Sequence, residues 1–180
     1  MKKLALDEIG QQRLSTEAAR NAPRFPVTVL LDNIRSLYNV GSIFRTADAA
    51  RIEKLFLCGI TGYPPRKEID KTALGAVETV PWEYHNDAVE VLKSLKQQNI
   101  PIIALEHTSE SKSYWEYDYT FPCCLVIGNE VWGIQEELLT YADAAIEIPM
   151  FGAKHSLNAS VAFGITIYEI IGKYLQQNSN

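Results

Sequence analysis

Three groups of polar residues interrupt the apolar pattern of this 180-residue chain, and each contains side chains that could do chemistry. They occupy Asn39–Ala47, Ile127–Ile134 and Ile148–Ser160. Arg45, in the first group, carries a permanent positive charge that can grip a phosphate. Glu130, in the second group, places a carboxylate close to the aromatic ring of a nearby tryptophan. The groups are therefore candidates for a ligand site.

Each group also has a purely structural interpretation. Asn39 is a suitable N-cap for a helix in which Arg45 occupies the second turn. Glu130 could cap the helix that follows its own turn, and Ser156 could cap the last helix of the chain. Taken one at a time, the groups do not decide between helix capping and a site.

The elements that would hold these groups are predicted from hydrophobic periodicity. Five short apolar or β-branched runs are typical of strands: Pro26–Leu31, Lys54–Cys58, Pro101–Leu105, Pro122–Ile127 and Ala144–Ile148. Nearly all are continuously apolar, which indicates parallel strands covered on both faces. Because the polar groups follow predicted strands, they fall where open α/β sheets bind ligands. We therefore predict an α/β fold with a mostly parallel sheet between helices.

Helical periods separate these strands. Apolar residues recur every three to four positions in residues 40–50 and 88–95, and a shorter helix is expected over Gln135–Tyr141. The last helix, from about Leu157 to Gln177, carries two apolar stripes. The first contains Phe163, Ile167, Ile170 and Tyr174, and the second contains Val161, Ile165, Tyr168, Ile171 and Leu175. One stripe would cover the sheet, and the other would contact a second subunit or be buried within the monomer.

Charge is distributed unevenly along the chain. There are 17 Lys and Arg against 22 Asp and Glu, and the net charge of −5 argues against nucleic-acid binding through a uniformly basic surface. Residues 1–71 nevertheless carry 12 basic and 8 acidic side chains, whereas residues 72–180 carry 5 and 14. The first part could face phosphates, although ordinary solvated surface explains the same imbalance.

A single domain is expected for this length and composition. Residues 1–24 lack a sheet pattern, so they are predicted to form a helical extension and linker before a domain over residues 25–180. Cys58, Cys123 and Cys124 form no CxxC pair, which favours a reducing compartment. Because the chain shows neither a signal-peptide pattern nor an apolar run of about 20 residues, a cytoplasmic protein with no membrane segment is expected.

Several common chemistries lack their motifs. The glycines form no GxG pair, so the Rossmann fingerprint and the P-loop both fail. The G-x-S-x-G turn of α/β-hydrolases is also missing, which disfavours a serine hydrolase of that kind. His85, His107 and His155 are isolated and have no HExxH or CxxC spacing near them, so a metal site has little support.

Together, the three polar groups resemble the signature motifs of the SpoU (TrmH-like) branch of the SPOUT RNA methyltransferases. The resemblance rests on Asn39–Ala47, on the G-N-E-x-x-G run at residues 128–133, and on the I-P-M and S-L-N-A-S segments of the third group. It extends from about Val27 to Tyr174, with the motifs in the family's order. It implies an α/β fold whose C-terminal part threads through a loop to form a deep trefoil knot.

The resemblance also implies S-adenosylmethionine as the cofactor, held in a bent shape by loops of the knot. The residues implied to line its pocket are Leu105, Gly128, Ile148, Ser156 and Leu157. The residues on the family's catalytic polar positions are Asn39, Arg45, Glu130 and Asn158. Much of the cofactor contact is expected to be backbone hydrogen bonding to adenine, so apolar side chains suffice there. The missing GxG pair agrees with such a pocket.

The reaction implied by the resemblance is methylation of a ribose 2′-hydroxyl in tRNA or rRNA. Arg45 is the family's proposed base, but a permanently charged guanidinium is better suited to gripping the neighbouring phosphate and orienting the hydroxyl. The implied partners are RNA and a second copy of the chain, and neither DNA nor a membrane is expected. Because the family's active site lies near the subunit interface, Arg45 would serve a cofactor bound by the partner.

Two other functions remain open at this point. A non-catalytic RNA-binding homologue of the same fold is disfavoured because Arg45, Glu130 and Asn158 are all retained. An α/β enzyme that acts on a small nucleotide is disfavoured because no Gly-rich turn is available to cradle its phosphates. Both tRNA and rRNA remain open as substrates.

Overall fold

The computed structural model describes residues 1–10 and 13–179, and within them seven strands form a single sheet. The strands are β1 (Phe25–Asp32), β2 (Ile52–Cys58), β3 (Trp82–His85), β4 (Ile102–Leu105), β5 (Lys112–Ser113), β6 (Cys123–Ile127) and β7 (Ala144–Glu147). All neighbouring strands are parallel, in the order β3-β2-β1-β6-β4-β7-β5. This topology confirms the predicted α/β fold.

Helices cover both faces of the sheet. They are α1 (Leu6–Gly10), α2 (Thr16–Asn21), α3 (Leu37–Ala49), α4 (Lys67–Ala73), α5 (Ala88–Gln97), α6 (Glu136–Leu139) and α7 (Ala159–Gln177), and a 3₁₀ turn at Ala76–Glu78 follows α4. Buried residues of α3, α4 and α7 form one hydrophobic core with the sheet, and those of α5 and α6 form a second core on the other face.

Strand β1 shows why continuously apolar runs predicted this arrangement. Val29 and Leu31 belong to the core shared with α3 and α7, whereas Leu30 belongs to the core shared with α5. All three residues are fully buried. Because alternate residues of a strand face opposite sides, a strand covered on both sides needs apolar residues at every position.

The five predicted strands are all present, with ends within two residues of those expected. Periodicity missed β3 and β5, which are at the two edges of the sheet. Every residue of β3 is at least partly exposed, and β5 is only two residues long. Edge strands of this kind carry polar side chains and lack the apolar run that marks a central strand.

The prediction that Asn39 is the N-cap of the first long helix is wrong. The N-cap of α3 is Ser36, whose hydroxyl oxygen accepts a hydrogen bond from the backbone N–H of Asn39. Arg45 is therefore in the third turn of α3 and not in the second. Serine and asparagine cap helices equally well, so the sequence alone favoured neither position.

Helix α7 also begins later than predicted. Its N-cap is Asn158, so the structural interpretation of Ser156 as a cap is wrong. The two apolar stripes of α7 differ in exposure. Phe163 and its neighbours on one stripe are buried against the sheet, and the residues exposed on the other are Val161, Ile165, Tyr168 and Leu175. Ile171, which the prediction placed on the second stripe, is buried with the first.

The segment before β1 contains two short helices, as predicted for residues 1–24, while its status as a separate extension stays a prediction. Arg24 attaches this segment to the sheet, because its guanidinium donates hydrogen bonds to the carbonyl oxygens of Thr79 (2.5 Å) and Ile52 (3.2 Å). Among the residues that the structure describes, every helix is too short or too polar to cross a lipid bilayer.

Candidate active site

The carboxyl ends of β4, β6 and β7 lie side by side at the same end of the strands, where they line a cavity of about 280 Å³. Two loops form most of its wall: the β6 loop, residues 128–135, and the β7 loop, residues 148–158. The first residues of α7 close one side. Parallel strands bring residues that are far apart in the sequence together at this end. The cavity volume is close to the lower end of the range for small-molecule sites.

All five residues predicted to bind the cofactor line this cavity. They are Leu105, Gly128, Ile148, Ser156 and Leu157. Leu105 ends β4 and Gly128 directly follows β6, its neighbour in the sheet, while the other three residues belong to the β7 loop. The structure thus brings the predicted set together around one space, and the role of each residue in cofactor binding stays a prediction.

The tight part of the β6 loop requires glycine at both ends. A Cβ on Gly128 would lie 2.2 Å from the backbone nitrogen of Ile134, closer than real Cβ atoms approach. Gly133 has a φ of 69°, and a Cβ there would lie 2.2 Å from the carboxylate of Glu106. Backbone hydrogen bonds of 2.9 Å in both directions between Asn129 and Gly133 close the turn. The loop can therefore present its backbone to a ligand.

Three side chains hold the β6 loop in place. Sequence reasoning missed Asp32 and Glu106, and it noted Asn129 within the G-N-E-x-x-G run without giving it a role. Asp32 accepts a hydrogen bond from the backbone N–H of Gln135 (3.0 Å), and Glu106 accepts one from that of Ile134 (2.9 Å). Asn129 donates to the backbone carbonyl that follows β1 (2.7 Å). Asp32 is fully buried, and this burial raises its pKa. Their position at the carboxyl ends of strands was the one signal available in the sequence.

Glu130, in the β6 loop, binds the backbone that leads into helix α3. Its carboxylate accepts hydrogen bonds from the backbone N–H groups of Arg35 (2.9 Å) and Ser36 (3.1 Å) and from the side-chain amide of Asn39 (2.9 Å). Burial acts to raise the pKa of Glu130, but these hydrogen bonds outweigh it and hold the pKa below its ordinary value. The interpretation of Glu130 as a cap of the helix that follows its turn is wrong. Its carboxylate binds the backbone just before the first residue of α3, and the N-cap of α6 is Gln135.

Asn39 and Asn158 continue the hydrogen bonding from Glu130, so that the N-terminus of α3 is linked to the N-terminus of α7. The side-chain amide of Asn158 donates to the side-chain oxygen of Asn39 (3.0 Å). The side-chain oxygen of Asn158 in turn accepts from the backbone N–H groups of Ser160 (3.0 Å) and Val161 (3.4 Å), the first turn of α7. Three of the four residues predicted to be catalytic therefore form one hydrogen-bonded network, which we call the polar chain: Glu130, Asn39 and Asn158. Glu130 lines the cavity, whereas Asn39 and Asn158 lie behind its wall.

Arg45, the fourth predicted catalytic residue, lies apart from the polar chain. It is exposed on α3 and lines a second depression together with Arg13, Arg24 and Arg51. We call this depression the arginine groove. Its walls come from α2, the C-terminal half of α3 and the region from α4 to the 3₁₀ turn. Within one copy of the chain, Arg45 therefore lies outside the cavity.

Two further carboxylates, Glu106 and Glu147, line the cavity together with Glu130. Glu147 ends β7, and its carboxylate accepts a hydrogen bond from the hydroxyl of Ser111 (2.6 Å) and lies 3.1 Å from Nδ1 of His107. These two contacts lower the pKa of Glu147. Sequence reasoning did not single out either residue, because a lone glutamate after an apolar strand carries no motif.

Comparison with known families identifies the group to which this geometry belongs. Residues 26–168 match the model of the SpoU rRNA Methylase family. The chain belongs to this family. The matched range contains the three polar groups and every residue predicted for the site, and it confirms the resemblance inferred from the three motifs.

A curated relative and two solved structures illustrate this membership of the SpoU family. The tRNA (guanosine(18)-2'-O)-methyltransferase of Thermus thermophilus is 33% identical over 162 residues, which are 90% of this chain and 81% of that protein. The TrmH/SpoU tRNA modifying enzyme of A. aeolicus superposes with a TM-score of 0.81 at 31% identity, covering 91% of this chain and 84% of that chain.

The second solved structure is the SpoU methyltransferase AviRb from Streptomyces viridochromogenes in complex with AdoMet. It superposes with a TM-score of 0.78 at 26% identity and covers 86% of this chain. The match spans 63% of the AviRb chain, so this chain corresponds to less than two thirds of it. These structures confirm the fold class, while the trefoil knot and the second copy of the chain stay predictions.

The cavity of this SpoU family member has chemistry that fits S-adenosylmethionine. Leu105 and Ile148 offer apolar surface to an adenine ring, and the β6 loop offers backbone groups for hydrogen bonds. The three glutamates suit the positive charges of a sulfonium and an ammonium group. Within residues 1–10 and 13–179, no cluster of three or more His, Cys, Asp or Glu is arranged to hold a metal ion.

Proposed function

We propose that the chain transfers the methyl group of S-adenosylmethionine to a ribose 2′-hydroxyl of tRNA. The observation that carries this proposal is the cavity, where all five predicted cofactor residues and Glu130 of the polar chain line one space. Family membership and the AdoMet-bound AviRb structure support the reaction class and the cofactor, and at this level both predictions are confirmed. The name of the Thermus thermophilus relative supports tRNA and makes guanosine 18 the first nucleotide to test.

The polar chain has a positioning role in this proposal. Bound S-adenosylmethionine supplies a methyl carbon that is already activated for in-line displacement. The protein must then orient a ribose hydroxyl towards that carbon and manage its proton. Glu130 and Asn158 fix the N-termini of α3 and α7 beside the β6 loop, so they hold the walls of the cavity in register.

Arg45 acts, in this proposal, on a cofactor bound by a second copy of the chain. Its exposed position outside its own cavity supports this arrangement. Helix α7 supports a dimer, because Val161, Tyr168 and Leu175 are each about half exposed and form an apolar face that a second copy would cover. The guanidinium would grip the phosphate next to the target ribose and so orient the hydroxyl.

Two further proposals concern location and domain limits. We place the protein in the cytoplasm, and the three free and buried cysteines support a reducing compartment. We also place the methyltransferase domain at residues 25–180 and the helical extension at residues 1–24. The start of β1 at Phe25, directly after α2 and a short connection, supports that division.

Methyl transfer into RNA tests the proposal directly. The purified chain is incubated with methyl-labelled S-adenosylmethionine and either unmodified tRNA or rRNA transcripts, and the digested nucleosides are analysed by mass spectrometry. We expect a 2′-O-methylated nucleoside from tRNA. RNA binding without methylation would support the non-catalytic homologue instead, and methylation restricted to free nucleotides would support the small-nucleotide enzyme.

A further inference from the structure

The charge of the cavity is unbalanced, and the inference drawn from it depends on the proposed function. Glu106, Glu130 and Glu147 line the cavity, and among the described residues on its wall there is neither a lysine nor an arginine. His107 is the one titratable base on that wall. At neutral pH the lining therefore carries several negative charges and no permanent positive charge.

Neutral donors satisfy two of these carboxylates without cancelling their charge. Glu106 accepts hydrogen bonds from the backbone N–H groups of Ile134 and His107, both at 2.9 Å. Glu130 accepts from two backbone N–H groups of the α3 N-terminus and from the amide of Asn39. Hydrogen bonds from neutral groups stabilise an ionised carboxylate and leave its field in place.

Glu147 is the third carboxylate, and it is less constrained by the loops. Its partners are the hydroxyl of Ser111 and the imidazole of His107, and they keep the pKa of Glu147 below its ordinary value. Neither partner belongs to the β6 loop or the β7 loop. Removing the charge of Glu147 should therefore change the field in the cavity while the loops remain in place.

The donor and the spent cofactor differ in charge. S-adenosylmethionine has a sulfonium, an ammonium and a carboxylate, so its net charge is a single positive one. S-adenosylhomocysteine has lost the sulfonium charge with the methyl group and is neutral overall. Adenine, ribose and the amino acid end are common to both molecules. A negative field in a partly desolvated cavity consequently favours the donor over the product.

We propose that Glu106 and Glu147 are specificity-determining residues that make the cavity bind cationic S-adenosylmethionine more tightly than neutral S-adenosylhomocysteine. The preference helps the spent cofactor to leave and the next donor to enter. An Arg45 side chain delivered by a second copy would offset one charge and leave the net sign unchanged. A purely structural role for the two glutamates predicts equal losses of affinity for both ligands, because the loops contact both.

Calorimetry with three ligands on the full chain tests this proposal. The probes are S-adenosylmethionine, S-adenosylhomocysteine and sinefungin, in which a carbon bearing an ammonium group replaces the methylated sulfonium. We expect the two cationic ligands to bind more tightly than S-adenosylhomocysteine at neutral pH. In Glu147→Gln, the cationic ligands should each lose about fivefold in affinity, while S-adenosylhomocysteine changes by less than about twofold. In Glu106→Gln, all three ligands should lose affinity, because this carboxylate also holds the β6 loop, and the cationic ligands should lose more than S-adenosylhomocysteine.

Glu90→Gln is the matched control, because it removes the same charge from the exposed surface of α5. Added salt should reduce the difference in affinity between the cationic ligands and S-adenosylhomocysteine in the unmodified chain. This measurement does not depend on whether a variant folds. Tighter binding of S-adenosylhomocysteine than of S-adenosylmethionine, or an equal loss for all three ligands in both variants, would overturn the inference alone. Failure of the unmodified chain to bind any of them would remove the proposed function as well.

Discussion

The cavity and the arginine groove are two depressions that differ in the elements that form them and in the charge of their lining. The cavity lies at the carboxyl ends of the strands and is lined by loop backbone and three glutamates. The groove lies between helices, and its charged lining residues are four arginines and two acids, Asp48 and Glu78. Groove residues fall in 13–79 and cavity residues in 105–162, which matches the basic first part and the acidic remainder of the sequence. In the proposed function, the cationic cofactor and the RNA polyanion would therefore be attracted by separate surfaces.

This separation has a measurable consequence. If the two depressions are independent, a substitution in the cavity should change cofactor binding, and one in the groove should change RNA binding. Arg45 is the exception, because it lies in the groove of its own chain and is proposed to act at the cavity of a second copy. Substitutions in each region therefore test both the separation and the residue that bridges it.

The largest effect is expected for Arg45→Lys. Lysine keeps the positive charge but lacks the planar fork that holds a phosphate in a fixed orientation, so we expect methyl transfer to fall by about 100-fold or more. S-adenosylmethionine affinity should remain within about twofold, since the side chain lies outside the cavity of its own chain. Single-turnover methylation and calorimetry measure the two quantities. Near-normal methyl transfer by this variant would contradict the role assigned to Arg45.

Mixing two impaired variants, at an S-adenosylmethionine concentration too low to fill the damaged cavity, tests whether Arg45 acts across the proposed dimer. A heterodimer of Arg45→Lys and Gly128→Ala contains one intact cavity, and the intact Arg45 lies on the other copy. Activity should reappear after the two proteins are mixed and allowed to exchange subunits, as measured against each variant alone. Unmixed and mixed samples with equal, negligible activity would instead place Arg45 at the cavity of its own copy.

The second largest effect is expected for Gly128→Ala, which damages the cavity and spares the groove. The added Cβ would lie 2.2 Å from the backbone of residues 133 and 134, so the β6 loop must shift. We expect a loss of at least about tenfold in S-adenosylmethionine affinity, and overpacking of this kind costs about 1–3 kcal/mol of stability. RNA binding should change little. Calorimetry and thermal unfolding measure these effects.

Gly152→Ala is the matched control for that substitution. A Cβ at Gly152, which is in the β7 loop, meets no atom within 4 Å. Cofactor affinity and stability should therefore remain close to those of the unmodified chain. If Gly128→Ala behaved like this control, the requirement for a close backbone turn at the cavity would be wrong.

The cavity was more predictable from the sequence than the groove. Gly128, Ile148 and Leu157 were implied by the resemblance to the SpoU family. They meet in the structure because the carboxyl ends of parallel strands lie together, so the topology fixes which residues come close. The groove depends on how helices α2 and α3 pack, and neither helix orientation nor the position of an arginine side chain follows from periodicity. Periodicity therefore gave no indication that Arg45 lies apart from the polar chain.

The connections within the polar chain also lay beyond sequence reasoning. Asn39, Glu130 and Asn158 were each singled out, but their mutual hydrogen bonds depend on side-chain directions across 119 residues of chain. The local signals were ambiguous, because Ser36 and Asn39 are both good caps and the structure uses the first. Propensity identified the residue types, and the tertiary packing decided which partner each one received.

The next effect in size concerns Glu130→Gln and its dependence on pH. Hydrogen bonds hold the pKa of Glu130 below its ordinary value of 4.5, so its contribution to stability is present above that value and is lost as the pH falls through the lower folded pKa. The variant should lose about 1 kcal/mol near neutral pH, because an amide nitrogen replaces one of the accepting oxygens and the charge near the N-terminus of α3 is lost. The two proteins should approach each other in stability below the folded pKa. Thermal unfolding across pH measures this, with Glu116→Gln as the control, because Glu116 is exposed in a turn outside any helix.

The smallest effect is expected for Arg13→Ala, which removes one charge from the arginine groove and leaves the cavity intact. RNA affinity should fall about threefold, and the slope of log affinity against log salt should flatten by about one unit, because one phosphate contact is lost. Lys93→Ala is the control, since it removes an exposed charge from α5 on the opposite face of the sheet. S-adenosylmethionine affinity should be unchanged in both variants. A salt slope equal to that of the unmodified chain would mean that RNA does not follow the groove, and the division of charge between the two depressions would then have no bearing on the substrate.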